Sequence, residues 1–185
     1  MYLVLDTNIF ISRLYILKQA LARIEMPQSD LNVVMLVPGI VVSELDYQKN
    51  HDEGIALDSR RASEWLASEI GSGKGQVKGQ AYSQTMLLTG DWRKRSGVSR
   101  ASNEPIPSAC SFNVSQLSND ELILDCCKYF THVKRKDVLL CTSDNNLAVH
   151  AASNGALQVK SYTGKHTAIL NPWQPRACFS EANLL

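Results

Sequence analysis

Apolar positions along the chain come in two patterns, short unbroken runs and helical spacings, and the two alternate. Residues 2–5, "YLVL", form an apolar run that reads as a buried strand and ends on Asp6, Thr7 and Asn8. Phe10, Leu14, Leu17, Leu21 and Ile24 then recur at helical intervals, predicting an amphipathic helix that stops before Pro27. "LNVVMLVP", residues 31–38, is a branched run closed by Pro38 and predicts a second buried strand. "GIVVSELDYQ", residues 39–48, reads as helical, and residues 55–70 as a further helix carrying Trp65 and Leu66. A third strand is expected in "DVLLCT", residues 137–142. A short helix in "NNLAVHAASNG" with Gly155 as its left-handed stop follows, then a fourth strand in "LQVKSY", residues 157–162. Strands alternating with helices imply parallel pairing with helices on both faces, an α/β sandwich.

Between Gly71 and Leu117 the alternation fails. "GSGKGQVKG" and "DWRKRSGVSRASNEPIPSACS" are rich in Gly, Ser, Pro and basic residues, so long loops are expected around a small strand or hairpin near "QAYSQTMLL", residues 80–88. "GSGKG" is not a phosphate loop, because Gly75 follows Lys74 where Ser or Thr is required and no strand precedes it. In "LSNDELILDCCKYF", Ser118 and Glu121 have capping-box spacing and Leu117 and Leu122 that of a hydrophobic staple, so a helix begins there. At about 100° per residue, Leu122, Ile123, Cys126, Cys127 and Phe130 share a buried stripe. Asp120 falls at its edge, while Glu121 and Asp125 are expected to face solvent. No internal repeat is present, and the tail "NPWQPRACFSEANLL", residues 171–185, suits packing along a surface.

Bulk properties narrow the class. With 185 residues, 44% of them hydrophobic, the chain fits one ordinary domain able to bury a core without staples. We divide it into a single domain over 1–170, with an irregular insertion at about 71–117, and a tail over 171–185. A net charge of +1 excludes a uniformly basic nucleic-acid binder but leaves room for a basic patch. Five cysteines without a CxxC pair suggest neither a disulfide framework nor a zinc knuckle, so a reducing, intracellular compartment is expected. No apolar run approaches the roughly 20 residues that span a bilayer, so membrane insertion is not expected. Because Met1 directly precedes a buried-looking strand, the chain reads as a domain cut from a longer protein, which would hide its localisation signals.

The candidate chemistry lies in the acids. Asp6 at the end of the first strand is either a helix cap, since Asp, Thr and Asn accept hydrogen bonds from unpaired helix N–H groups, or something more. "CTSDNN" repeats the situation with Asp144. In a parallel α/β sheet the carboxyl ends of the strands lie on one side, where ligands bind, so Asp6 and Asp144 share a rim. Glu44, shortly after the second strand, can reach it, and Asp120 joins them if its helix starts there; otherwise Asp120 complements a helix dipole. Two unit charges about 4 Å apart cost about 1 kcal/mol in water and about 4 kcal/mol at protein-surface screening. Capping gives no return for such repulsion, whereas Mg²⁺ or Mn²⁺, which prefer oxygen ligands, compensate it.

"VLDTN" with Asp6, "VSELD" with Glu44, "NDELIL" with Asp120 and "TSDNNL" with Asp144 resemble, in order and spacing, the four acidic motifs of PIN-domain ribonucleases, from residue 3 to about 162. The resemblance implies a PIN-like three-layer sandwich with a parallel sheet of about five strands, and cleavage of single-stranded RNA dependent on Mg²⁺ or Mn²⁺. It implies that Asp6, Glu44, Asp120 and Asp144 bind the metal and carry catalysis, with Asn8 and Ser143 supporting the first and fourth acids. Products with a 5′-phosphate and a 3′-hydroxyl are implied as well. Within the family the chain is most similar to the fungal branch acting in nuclear mRNP quality control. That implies mRNA surveillance or turnover, mRNP or RNA-decay proteins as partners, and the nucleus, with the cytoplasm as the alternative location.

RNA also needs positive charge and stacking surfaces. Trp92, Arg93, Lys94, Arg95 and Arg100 combine them, against the simpler reading of a solvated loop. Lys134, Arg135 and Lys136 complement a helix C-terminus first and RNA second, and the four histidines show no ligand spacing. A phosphorelay receiver would pair two acids where Val4 and Leu5 stand, and a haloacid-type phosphatase would need an acid at Asn8. The remaining alternative is a catalytically silent PIN-fold module that binds a protein partner in an RNA-decay complex.

Overall fold

Leu3, Val4 and Leu5 are all buried, a pattern that excludes an edge position for the first strand, β1 (Tyr2–Leu5). In the computed structural model, which describes residues 1–26, 32–51, 53–87 and 117–153 and the backbone of 158–161, β1 is the middle strand of five. It pairs in parallel with β2 (Val34–Val37) on one side and β4 (Val138–Thr142) on the other. β3 (Val77–Gly79) and β5 (Gln158–Ser161) close the two edges, also parallel, giving the order β3-β2-β1-β4-β5. The α/β class and the parallel central sheet flanked by helices are those the sequence predicts.

α1 (Thr7–Ile24) starts straight after Asp6 and buries Phe10, Leu17, Leu21 and Ile24, as its spacing requires. α2 (Gly39–His51) carries Glu44 and continues past the predicted end, and α3 (Ala56–Gly71) packs Trp65 against Phe10 with ring centroids 6.4 Å apart. α4 (Asn119–Lys128) begins on the complete capping box of Ser118 and Glu121. It runs on into a π-helical turn, Tyr129–Val133, which stacks Phe130 on Tyr2 and ends with Arg135 in the left-handed region at φ 51°. α5 (Asn145–Ser153) leads towards β5.

Chain direction now places the site. From β1 the chain steps outward to β2 and then β3, whereas from β4 it steps the opposite way to β5. Right-handed crossovers put the connecting helices of these two excursions on opposite faces, so the strand order reverses between β1 and β4. Ligands in open α/β sheets bind in the crevice at the carboxyl ends of the strands at that reversal.

Two expectations are corrected. The small strand lies at Val77–Gly79 and not in residues 80–88, because it is held by pairing with β2 and not by an apolar run of its own; residues 80–87 form turns and bends. Asp125 faces the interior and not solvent, since its carboxylate accepts hydrogen bonds from Thr85 Oγ1 and from the Met86 amide at 3.0 Å. Gly155, the tail over 171–185 and most of the insertion lie outside the described residues.

Candidate functional site

Pairing of Leu5 with Cys141 brings Asp6, one step further, opposite Thr142. The Asp6 amide donates to the Cys141 carbonyl at 3.1 Å, and Thr142 Oγ1 donates to Asp6 Oδ2 at 2.8 Å. Asp6 occupies the N-cap position of α1 with extended backbone, yet its side chain makes no capping hydrogen bond, so the cap reading fails there. Asp6 is only 4% exposed. Burial raises its carboxyl above the ordinary carboxylate range against the hydrogen bonds from Thr142 and the Thr7 backbone, and the charges of Glu44 and Asp120 raise it further.

Asp144, beyond β4, does cap. Its Oδ1 accepts from the Asn146 amide at 2.7 Å and the Leu147 amide at 3.3 Å, closing the first turn of α5. Its own amide donates to Thr142 Oγ1 at 2.9 Å, so one hydroxyl links the first and fourth acids.

Glu44 lies one turn beyond the buried Ile40 and Val41, on the inward side of α2. Thr7 Oγ1 donates to its Oε2 and Asn119 Nδ2 to its Oε1. Asp120 follows Asn119 in the first turn of α4. Burial raises its carboxyl first, then the charges of Asp144 and Glu44, and His150 of α5 partly offsets them. The charges of Glu44 and Asp120 thus act on Asp6, and those of Asp144 and Glu44 on Asp120.

Asn8 and Ser143 are the expected supports of the first and fourth acids. Asn8 is exposed, with its carbonyl accepting from Ser12 Oγ at 2.6 Å, and Ser143 is half-buried; among the described residues neither side chain hydrogen-bonds an acid. Thr7, buried, donates to the second acid, Glu44, and Thr142, also buried, to the first, Asp6. Asn119 and His150 were also missed. The hydroxyl and amide residues beside acids in "LDTN", "TSD" and "SND" are the signal that could have found three of these four. Trp92, Arg93, Lys94, Arg95 and Arg100 lie outside the described residues. Lys134 stands over Tyr129, 5.8 Å from its ring centroid, at the end of the π-helical turn.

Among the described residues no three acidic, histidine or cysteine side chains form a preassembled ligand cluster. Three of the four carboxylates are engaged by neutral donors: Thr142 on Asp6, Thr7 and Asn119 on Glu44, and backbone amides on Asp144. The donor set is nonetheless all oxygen, and the lysine and arginine ion pairs Lys49–Asp46, Arg61–Asp58 and Lys74–Glu25 involve none of the four acids. That chemistry fits a hard divalent cation, which is commonly held by one or two carboxylates with waters completing its shell. Cys126, Cys127 and Cys141 are buried and in no disulfide, and burial pushes the thiols of Cys126 and Cys127 up, leaving them unsuited to nucleophilic chemistry. No helix among the described residues is long and apolar enough to cross a membrane.

A family model described as "PIN domain" matches residues 3–163. Over 171 residues the chain is 25% identical to Transcriptional protein SWT1 of Saccharomyces cerevisiae (strain ATCC 204508 / S288c), an alignment covering 84% of this chain and 31% of that protein. The chain thus spans about a third of the length of that curated relative. Among solved structures, a domain of a functionally unknown protein from Methanocaldococcus jannaschii DSM 2661 is 17% identical with a TM-score of 0.52, covering 89% of this chain and 93% of that one. The PIN domain of human SMG5 is 19% identical with a TM-score of 0.49, covering 87% and 93%. The archaeal likeness is one of fold alone.

Proposed function

The chain belongs to the PIN-domain family, and from that premise we propose that it is a Mg²⁺- or Mn²⁺-dependent endoribonuclease that cuts single-stranded RNA with Asp6, Glu44, Asp120 and Asp144. The observation that carries this reading is Asp6. A carboxylate is buried at the strand-order reversal, makes no helix cap, and has its proton affinity raised by that burial first and then by the charges of two further acids. A fold gains nothing from that repulsion unless a cation relieves it.

Thr142 fixes Asp6 and, through the Asp144 amide, the start of α5. Asp120, in the first turn of α4, is assigned to orient the attacking water. When bound, the divalent cation supplies the positive charge that stabilises the phosphodiester oxygens and makes water a stronger nucleophile. Attack by water at phosphorus with the P–O3′ bond breaking, the departing 3′-oxygen taking up a proton, would leave a 5′-phosphate and a 3′-hydroxyl. An acidic edge repels a phosphate backbone, so Trp92, Arg93, Lys94, Arg95 and Arg100 are assigned to RNA contact by stacking and charge. The name of the yeast relative ties that protein to transcription. We extend this to a nuclear role in mRNA surveillance or turnover beside mRNP or RNA-decay proteins, carried out by a single domain over 1–170.

A second reading, a catalytically silent PIN-fold module that binds a protein partner, is favoured by one observation: both oxygens of Glu44 already carry neutral donors. The discriminating experiment is cleavage of an unstructured RNA while Mn²⁺ is varied. Metal-dependent cleavage by the wild type, reduced by about 100-fold or more in Asp6→Asn, is the expected result. Equal cleavage by both proteins removes the assigned site, and no cleavage by either, with a protein partner still bound, favours the silent module.

A further inference from the structure

Asn119 joins the second and third acidic motifs across 75 residues of sequence: its Nδ2 donates to Glu44 Oε1, and the next residue is Asp120. Thr7 does the same for the first and second motifs, donating from the residue beside Asp6 to Glu44 Oε2. Each oxygen of Glu44 is thus held by the sequence neighbour of another acid. The first turn of α4 that carries Asn119 is itself held by the Ser118 and Glu121 capping box.

The two donors are neutral. A lysine or arginine in their place would orient Glu44 equally well but cancel the charge that attracts a cation. Lys49, the basic residue nearest Glu44 in sequence, pairs instead with Asp46 at 2.5 Å. An amide at position 119 also cannot ionise, so it adds no repulsion to Glu44 or Asp120.

We propose that Asn119 is a positioning residue that holds Glu44 in place for a divalent cation without neutralising it, and so sets the metal concentration the site requires. The inference rests on the metal-dependent reading above. Without Asn119, Glu44 keeps its charge but is held through one oxygen only. Ligand orientation by such an outer partner commonly contributes about 10- to 100-fold in metal affinity.

The probe is Mn²⁺ alone, without RNA. Its apparent dissociation constant is read from the rise of Tm with Mn²⁺ concentration for the wild type, Asn119→Ala, Asn119→Leu, Glu44→Gln and the Asn119→Ala/Glu44→Gln double variant. Loss of Asn119 should weaken Mn²⁺ binding about 10-fold. The same substitution should add nothing in the Glu44→Gln background, since Asn119 acts through Glu44. A merely structural role would lower the metal-free Tm without moving the dissociation constant. Asn119→Leu preserves bulk without the amide and is read if Asn119→Ala fails to fold. Wild-type Mn²⁺ affinity in the folded Asn119 variants, or a full-sized loss persisting in the double variant, overturns the inference. If Asp6→Asn abolishes the Mn²⁺ response while Asn119 substitutions leave it intact, only the inference fails. A wild type whose Tm ignores Mn²⁺ removes the metal reading and the inference together.

Discussion

Asp6 and Asp144 end neighbouring strands in similar sequence contexts and do different work. Asp144 closes a helix turn with its Oδ1, whereas Asp6 turns to Thr142 across the sheet. The sequence placed both acids at strand ends but could not separate their roles, because the partner of Asp6 is 136 residues away and reaches it only through the register of β1 and β4. The same non-local geometry sets the contacts of Thr7 with Glu44 and of Thr142 with Asp6. A stability prediction follows from the raised carboxyl of Asp6. The folded state binds this proton more tightly than the unfolded chain. The associated stability is therefore fully present below about pH 4 and is lost as pH rises through the folded-state value. Asp6→Asn keeps an oxygen for Thr142 and removes the buried charge. In metal-free buffer it should raise Tm at pH 7, with the gain shrinking towards pH 3. A pH-independent difference in Tm would mean that the Asp6 charge does not strain the apo site.

Most elements were legible because their burial is written locally. β1, β2 and β4 are apolar runs, α1 and α3 have helical stripes, and α4 announces itself by its capping box. β3 was missed because only Val77 of its three residues is buried, and pairing with Met35, Leu36 and Val37 makes the strand. Asp125 was misplaced for a related reason: its face of α4 would meet solvent if residues 80–87 did not cover it. Gln80 anchors that segment at the start of α2 by accepting from the Gly39 amide at 3.0 Å, and Asp125 anchors it to α4. Asp125→Ala should strand the Thr85 hydroxyl and Met86 amide without an acceptor, costing about 1–3 kcal/mol in urea denaturation. It should also speed hydrogen exchange at Met86. Unchanged stability would show that residues 80–87 are held by something other than this carboxylate.

At the scale of the molecule, the strand order β3-β2-β1-β4-β5 brings remote segments to one edge, with Asp6 and Asp144 leaving adjacent strands where chain direction reverses. Glu44 and Asp120 arrive from helices on either side, tied together by Asn119. The α/β class and the shared rim of Asp6 and Asp144 follow from alternating strands and helices, so both were readable before the fold. The neutral braces on the acids were not, since they depend on contacts between elements far apart in sequence. The central claim is that this edge holds one or more divalent cations. A crystal soaked in Mn²⁺ at a concentration that supports RNA cleavage, with anomalous scattering recorded, tests it most directly. The account predicts a manganese peak about 2.1 Å from carboxylate oxygens that include those of Asp6 or Asp120. Manganese found only elsewhere, with these oxygens bare, would contradict it.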